Sequence, residues 1–433
     1  MIWNKEMECM DRQAMERLQL TRLRETVSQA YERIPFYRGA LDKKGVKAAD
    51  IHTLADLQLL PFTTKQDLRE QYPYGLFAVP LKEVVRVHGS SGTTGKPIVV
   101  GYTRNDMDTW TEALARLITQ ATVGPEDITQ IAFGYGLFTG GFGLHYGMER
   151  VGATVVPMSS GNSEKQIMLM RDFGTTALVS TPSYALHLAE VAKNMGVDPK
   201  TDLRVRVGLF GGEPCSPGME AAIHDLWGMR VTDNYGLTEV GGPGVSGDCG
   251  MGEGQHICED FYLTEIIDPD TGAPLPYGEE GELVITTLRK EACPVLRYRT
   301  RDITRLMPEP CPCGRTTLRM RKIRGRSDDM LIIKGVNVFP SQIEVALAEV
   351  TGATMYYQMI VTKRGYTDAL EIKVELEPAF FSDDFRKLKE IERNILRVLK
   401  RVVGIECKIT LVSPQTMERT TGKSKRVLDL REF

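Results

Sequence analysis

Residues Ser90 to Pro97 read SSGTTGKP, in which four hydroxyl side chains and one ammonium are spaced by glycine. Backbone N–H groups, hydroxyls and a lysine gathered on one turn are the parts of a polyphosphate grip. It is not a Walker A loop. Five residues separate Gly89 from Gly95 where that motif has four, and Lys96 is followed by Pro97 where a metal-binding Ser or Thr is required. A phosphate grip lacking that magnesium ligand points to another class of nucleotide enzyme.

A second constellation has metal-ligand chemistry. CGMGEGQHIC (Cys249 to Cys258) and CPCGR (Cys311 to Arg315) bring four cysteines and His256 into two clusters. A C-x-C pair is a tight half-site, and a closed tetrahedral zinc site needs two further nitrogen or sulfur ligands. Cys311 and Cys313, with His256 and one of Cys249 or Cys258, meet that count; unpaired reduced thiols are the competing reading. Cys9, Cys215, Cys293 and Cys407 stand apart and read as packing residues.

The elements that must position these groups fall into three regions. From about Asp11 to Leu41 the chain reads as a long helical stretch with apolar positions at Leu18, Leu23, Val27 and Tyr31, closing at Ile34-Pro35. From Glu83 to about Asp260, strands such as VVRVH, QIAFGY, TALVST, RVRVGLF and RVTDNYG alternate with helical segments at Asn105 to Gln120, Ser163 to Phe173 and Ser183 to Met195. Such alternation predicts an α/β fold with helices on a partly parallel sheet, and in such sheets ligands gather at the carboxyl ends of strands. Tyr262 to Leu306, with turn clusters between strands such as GELVITTL, predicts an antiparallel β subdomain.

Beyond a boundary near Arg326 to Asp329 the pattern restarts. A helix at Ser341 to Val350, strands at Tyr356 to Thr362 and Ala369 to Leu376, an amphipathic helix ending at Gly404 and a strand at Glu406 to Val412 make a small α+β module. The expected domains are residues 1–326 and 327–433.

A formal net charge of −3 over 433 residues excludes broad attraction to nucleic acid or anionic membrane, so small anionic partners are expected. The basic run RTTLRMRKIRGR lacks aromatic residues and offers no platform for stacked bases. Charged residues Lys5, Glu6, Glu8, Asp11 and Arg12 are incompatible with a secretory leader, and no apolar run reaches about 18 residues. A cytoplasmic location with reduced cysteines is the expectation.

With SSGTTGKPIVVGYT, YGLTEVGGPG, LRYRTRD, GRSDDMLIIKGVNVFPSQIE and TTGKSKR in this order, the chain resembles the adenylate-forming superfamily that contains acyl-CoA synthetases, and within it the phenylacetate-CoA ligases. The resemblance implies a large adenylation domain with mixed sheets and a β subdomain, followed by a small mobile lid. It also implies ATP, Mg2+ and coenzyme A as reactants and cofactor, and a homodimer. Ser90, Ser91, Gly92, Thr93, Thr94 and Lys96 match the triphosphate loop, Glu239 the magnesium ligand, and Tyr235 the aromatic residue beside adenine. Gly212, Glu213 and Pro214, with Asp233, Asn234, Gly236 and Thr238, fall where the family reads adenine and phosphate. Asp302 matches the ribose-binding aspartate, against the competing reading of an ion pair with Arg299 or Arg301; Arg326 matches an arginine near ribose and phosphate.

Lys423 in TTGKSKR matches the catalytic lysine that bridges the attacking carboxylate and the α-phosphate, Asp328 the hinge, and Lys334, Gly335 and Asn337 the coenzyme A side. YGLFTGGFGLHYG supplies Tyr135, Phe138, Gly140, Gly141 and Phe142, with Gly241 nearby in sequence to the YGLTE motif, for a flat apolar slot; a glycine-rich helix start packed in the core is the alternative. His145 reads equally as a residue near that slot or as a satisfied core histidine. At the zinc site Cys249 is preferred, since related sequences resemble HIWED or HIFED with an aromatic where Cys258 stands. The implied reaction is ATP-dependent ligation of an arylacetate to coenzyme A. Alternatives are acyl transfer to another acceptor, a ligase for indoleacetate or benzoate, and a nucleotide-binding protein that has lost catalysis.

Overall fold

The computed structural model describes residues 1–90, 97–327, 331–333, 336–364, 367–381, 384–419 and 426–431. Contacts divide the chain into two units. The first comprises 1–180, 203–212 and 230–323; the second comprises 181–202, 213–229 and 324–433. The single boundary expected near Arg326 is thus joined by two further segments, which run with the C-terminal residues.

The predicted long helix near the amino terminus is two helices. Arg12–Arg33 is capped by Asp11, whose carboxylate accepts from Gln13 and Ala14 N–H, and Pro35–Lys44 restarts the chain beyond Ile34. Pro35 cannot donate to the preceding turn but fits the first position of the next helix. Met15, Gln19, Leu23, Val27 and Ala30 form the buried face, and Gln19 is satisfied there by the Glu259 carbonyl at 2.9 Å.

The main sheet of the first unit has nine strands. In chain order they are β3 (Ile128–Ile131), β4 (Thr154–Val156), β5 (Ala177–Ser180), β6 (Val207–Phe210), β7 (Arg230–Leu237), β8 (Gly242–Asp248), β9 (Gln255–Ile257), β13 (Leu306–Met307) and β14 (Arg319–Met320). Their spatial order is β13-β14-β9-β8-β7-β6-β5-β3-β4. From β4 to β7 neighbours are parallel; from β7 outward they are antiparallel. β7 is therefore the strand at which the sheet changes character, and the YGLTE motif lies at its carboxyl end. Every residue of β5 and β6 is buried, as parallel strands require.

β1 (Arg86–Gly89) and β2 (Val99–Tyr102) form an antiparallel ribbon around the phosphate loop. β10 (Tyr262–Ile267), β11 (Gly281–Thr287) and β12 (Tyr298–Thr304) pair antiparallel, as the turn clusters predicted. The helix Arg104–Gln120 starts at Thr103, whose hydroxyl accepts from Asp106 N–H while Asp106 accepts from Thr103 N–H.

In the second unit, Ala353–Arg364 and Thr367–Leu376 form a hairpin flanked by two parallel strands, Lys408–Val412 on the latter and Val427–Asp429 on the former. The amphipathic helix is Phe385–Val403; it buries Ile391, Ile395, Val398 and Leu399 with Ile343 and Leu347 of helix Pro340–Ala348. Gly404 ends it at φ +80°, a conformation that favours glycine. The strand Val427–Asp429 has no counterpart in the sequence reading, three residues being too few for a period to show. Among the described residues no helix is long and apolar enough to cross a membrane.

Candidate active site and metal centre

The neck of the phosphate loop is closed by Ser90. Its N–H donates to Ile98 O at 2.9 Å and its hydroxyl accepts from Ile98 N at 3.0 Å, so the loop leaves and re-enters the ribbon at one point. Ser91, Gly92, Thr93, Thr94 and Lys96 lie outside the described residues, as do Asp328, Lys334, Gly335 and Lys423. Asn337 belongs to the strand Val336–Val338, opposite Ile332. Arg326 closes the short strand Gly325–Arg326.

At the end of β7 the chain turns sharply back into β8. Thr238, Glu239 and Val240 form a single 3-10 turn, and Glu239 is buried. The return is so close that a Cβ on Gly236 would lie 2.2 Å from Gly242 O. Tyr235 donates its hydroxyl to Asp302 Oδ2 at 2.5 Å, joining β7 to β12. Asp302 is 4% exposed. Arg299 and Arg301 instead face Glu282, at 2.6 Å and 3.5 Å.

Nearby polar residues have structural partners. Asn234 Nδ2 donates to Phe210 O at 2.5 Å, and Asp233 accepts from Gln255 at 2.9 Å. Gly212 turns at φ +83°, ahead of Pro214. In the second unit Glu213 accepts from Ser183 N–H at 2.7 Å, in the first turn of the helix Pro182–Asn194. That contact favours a capping role there.

The acyl segment divides between two roles. Gly140 and Gly141 open the helix Gly140–Val151. Gly143 and Gly147 instead let that helix approach Arg104–Gln120: added Cβ atoms would lie 2.5 Å from Trp110 and 2.6 Å from Ile118. Phe138 is 49% exposed, so it does not wall an enclosed slot in this arrangement. Tyr135 contacts the Phe142 ring edge-on at 5.1 Å and hydrogen-bonds His145 Nδ1 at 3.0 Å. Burial holds the Tyr135 hydroxyl above the usual tyrosine range.

Leu137 O receives both Gly89 N–H and His88 Nδ1–H at 3.0 Å, fastening the acyl segment to the strand that enters the phosphate loop.

Residues given no role by the sequence reading support the Gly241 turn. Tyr102 donates to Gly241 O at 3.0 Å, Trp110 donates to Pro243 O at 2.7 Å, and Lys290 Nζ sits 3.3 Å from the Tyr102 ring centroid. Tyr102, Trp110, Val240, Gly241 and Lys290 line a small cleft. Burial lowers the Lys290 ammonium's pKa, against the opposing effect of Asp106. Nothing local distinguishes Lys290, whose setting is made by residues far off in the chain.

The two cysteine clusters meet. Ligand atoms of Cys249, His256, Cys311 and Cys313 all lie within 4.8 Å of one another. Cys249 Sγ is 3.6 Å from Cys311 Sγ, and Cys313 Sγ is 3.2 Å from His256 Nε2. A tetrahedral zinc site with three sulfurs and one nitrogen has edges of roughly 3.5–3.8 Å; the donor set suits that ion, the Cys249–Cys311 spacing lies in that range and the Cys313–His256 spacing is shorter. His256 Nδ1 is held by Thr317 Oγ1 at 3.0 Å, leaving Nε2 toward the thiols. Burial, reinforced by Arg315 and Arg319, lowers His256 to about 4, and burial pushes Cys249 up to about 12. Cys258 is elsewhere, in the hydrophobic core, with its thiol also pushed up to about 12 by burial.

Comparison with known proteins agrees with the order of these parts. The AMP-binding enzyme family matches residues 29–288, and the AMP-binding enzyme C-terminal domain matches residues 335–431. A phenylacetate-coenzyme A ligase of Thermus thermophilus is 46% identical over 100% of both chains. That of Aromatoleum evansii is 49% identical over 96% of this chain and 94% of its own, and that of Escherichia coli 47% over 97% and 95%. Among solved structures, 2-hydroxyisobutyryl-CoA ligase in the postadenylation state is 29% identical with a TM-score of 0.94, covering 99% of this chain and 92% of that one. By its motifs, its two matched regions and its end-to-end relatives, this chain belongs to the AMP-binding enzymes and, within them, to the phenylacetate-coenzyme A ligases.

Proposed function

We propose that this protein ligates phenylacetate to coenzyme A through an acyl-adenylate, using ATP and releasing AMP and pyrophosphate. The observation that carries the reading is that the relation to phenylacetate-coenzyme A ligases spans the whole chain, including both the AMP-binding region and the C-terminal domain. A carboxylate is a poor electrophile. Its oxygen first bonds the α-phosphorus of ATP while the bond to pyrophosphate breaks. Coenzyme A sulfur then bonds the acyl carbon and AMP leaves. Both steps bring negative groups together, so cations and donors held in advance supply most of the catalysis.

In this reading Ser90, Ser91, Thr93, Thr94 and Lys96 hold the β- and γ-phosphates, and Asp302, oriented by Tyr235, accepts the ribose hydroxyls. Glu239 would hold magnesium, which neutralises phosphate charge. Lys423 bridges the carboxylate and α-phosphate, and Arg326 lies toward the ribose. The C-terminal domain turns about Asp328 between the two half-reactions, bringing Lys334, Gly335 and Asn337 toward coenzyme A. Tyr135, Phe142 and the Gly241 turn border the aryl group. Cys249, His256, Cys311 and Cys313 would hold zinc as a structural cross-link between the β8–β9 connection and the loop after β13. The protein is read as a cytoplasmic homodimer, which sedimentation checks.

The test incubates the protein with ATP, Mg2+ and phenylacetate, with and without coenzyme A. Phenylacetyl-CoA should form only with coenzyme A, and pyrophosphate release should require phenylacetate. Absence of thioester despite pyrophosphate release would redirect the assignment to another acyl acceptor.

A further inference from the structure

We infer that Arg86 and His88 form a hydroxyl-reading pair beside Phe142, so that the aryl slot takes a ring-hydroxylated arylacetate in preference to the bare ring. The inference deepens the ligase reading above and rests on it.

β1 carries both side chains on one face. Residues two apart on a strand share a side and stand about 7 Å apart, while Val85 and Val87 are exposed on the other side. Arg86 lays its guanidinium 5.0 Å from the Phe142 ring centroid and 4.9 Å from that of Tyr146, with Nη2 donating to the Tyr146 hydroxyl at 2.7 Å. Its Nη1 is buried and has no hydrogen-bond partner. His88 is 2% exposed, its ring centroid 5.7 Å from Phe142 and steeply inclined to Tyr102 and Trp110 at 5.5 and 5.9 Å. Nδ1 must carry a proton, since it meets Leu137 O at 3.0 Å and a carbonyl can only accept. Burial, with Arg86 and Lys290 nearby, holds the imidazole below its ordinary 6.5 against the opposing Leu137 contact. The neutral ring is left with a lone pair at Nε2 among aromatic neighbours, and that buried atom has no partner either.

Buried polar atoms without partners cost free energy, and folded chains keep few of them. A donor and an acceptor left open on one strand face, against the same phenylalanine, call for a specific complement. It must accept from guanidinium and donate to imidazole. A carboxylate can do only the first and an ammonium only the second, whereas a hydroxyl does both. Phe142, with Tyr135 edge-on at 5.1 Å, borders the aryl group in the ligase reading, so a hydroxyl on that aryl ring is the group brought there. With unsubstituted phenylacetate a water takes its place. Exchanging an immobilised water for a substrate hydroxyl favours the hydroxylated acid by up to about 30-fold.

The experiment measures kcat/KM for adenylation in the full-length protein, read as pyrophosphate release with ATP and Mg2+, for phenylacetate and its 2-, 3- and 4-hydroxy derivatives. One hydroxylated isomer is expected to exceed phenylacetate by about 3- to 30-fold. His88→Asn keeps a donor for Leu137 O but loses the Nε2 acceptor, and Arg86→Met keeps an apolar stem but loses the Nη1 donor. Each should bring that ratio down to one or below. Because both acids are compared in one preparation, any unfolded fraction cancels. A wild type that prefers no isomer over phenylacetate overturns the inference and leaves the ligase reading intact. A preference that survives in either variant overturns it as well, since the pair then serves only as scaffold. A wild type that releases no pyrophosphate with any of the four acids overturns the ligase reading, and this inference with it.

Discussion

Replacing Gly236 by alanine tests whether the β7–β8 turn positions the chemistry. The new Cβ would meet Gly242 O at 2.2 Å and Pro243 Cα at 2.5 Å. Both are backbone atoms, so no side-chain rotation relieves the clash. Gly236 pairs with Pro243 and Leu237 with Gly242, and the intervening turn carries Glu239. Restoring an ordinary contact of 3.4 Å requires β8 to recede by about 1.2 Å or more, and overpacking of this sort costs about 1–3 kcal/mol. A displacement near 1 Å at a reacting centre slows catalysis by up to about 100-fold. Gly236→Ala is therefore expected to lower adenylation, read as pyrophosphate release without coenzyme A, by about 10- to 100-fold, with a loss of about 1–3 kcal/mol in denaturant unfolding. Gly39→Ala is the control, since nothing lies within 4 Å of its added Cβ on the exposed face of Pro35–Lys44. That change should stabilise by about 0.5–1 kcal/mol and leave activity alone. Wild-type adenylation in Gly236→Ala would refute the placement of the turn at the reacting centre.

Three further outcomes are expected. Lys423→Ala should slow adenylation by about 100- to 1,000-fold yet largely spare thioesterification of supplied acyl-adenylate; equal loss in both would remove this lysine from the first step. Purified protein should carry one zinc per chain by metal analysis, lost when Cys311 and Cys313 are both changed to serine, and reduced material free of metal would count against the centre. Burial alone would raise the Glu112 carboxyl, but hydrogen bonds from Asn4, Trp3 and Arg116 outweigh it and hold it below the ordinary 4.5. Its contribution is complete above that pH and is lost as pH falls through the depressed native value, so the amino-terminal residues should become more open to proteolysis there, and Glu112→Ala should show that sensitivity already at neutral pH.

Where local pattern governs, the sequence was readable. Ser163–Phe173 forms as predicted, β7 runs through RVTDNYG, and the apolar stripe of Phe385–Val403 finds its core. The acyl segment was harder. Its glycines carry no mark saying which will open space and which will admit a helix: Gly143 and Gly147 serve packing against Trp110 and Ile118, residues from another helix. Lys290 was invisible for a related reason, since a lysine's burial over Tyr102 depends on strands brought in from elsewhere.

The amino-acid order alone determined the alternation that makes the parallel half-sheet and the motifs by which the family is known, because each is written in side chains a few residues apart. Only the folded chain decided that Cys249 joins Cys311, Cys313 and His256 while Cys258 enters the core, that Tyr235 meets Asp302, and that Arg86 and His88 come against Phe142. Apart from Cys249 and His256, those partners are separated by tens of residues, and the distances between them follow from sheet register and packing, which no short stretch of sequence contains.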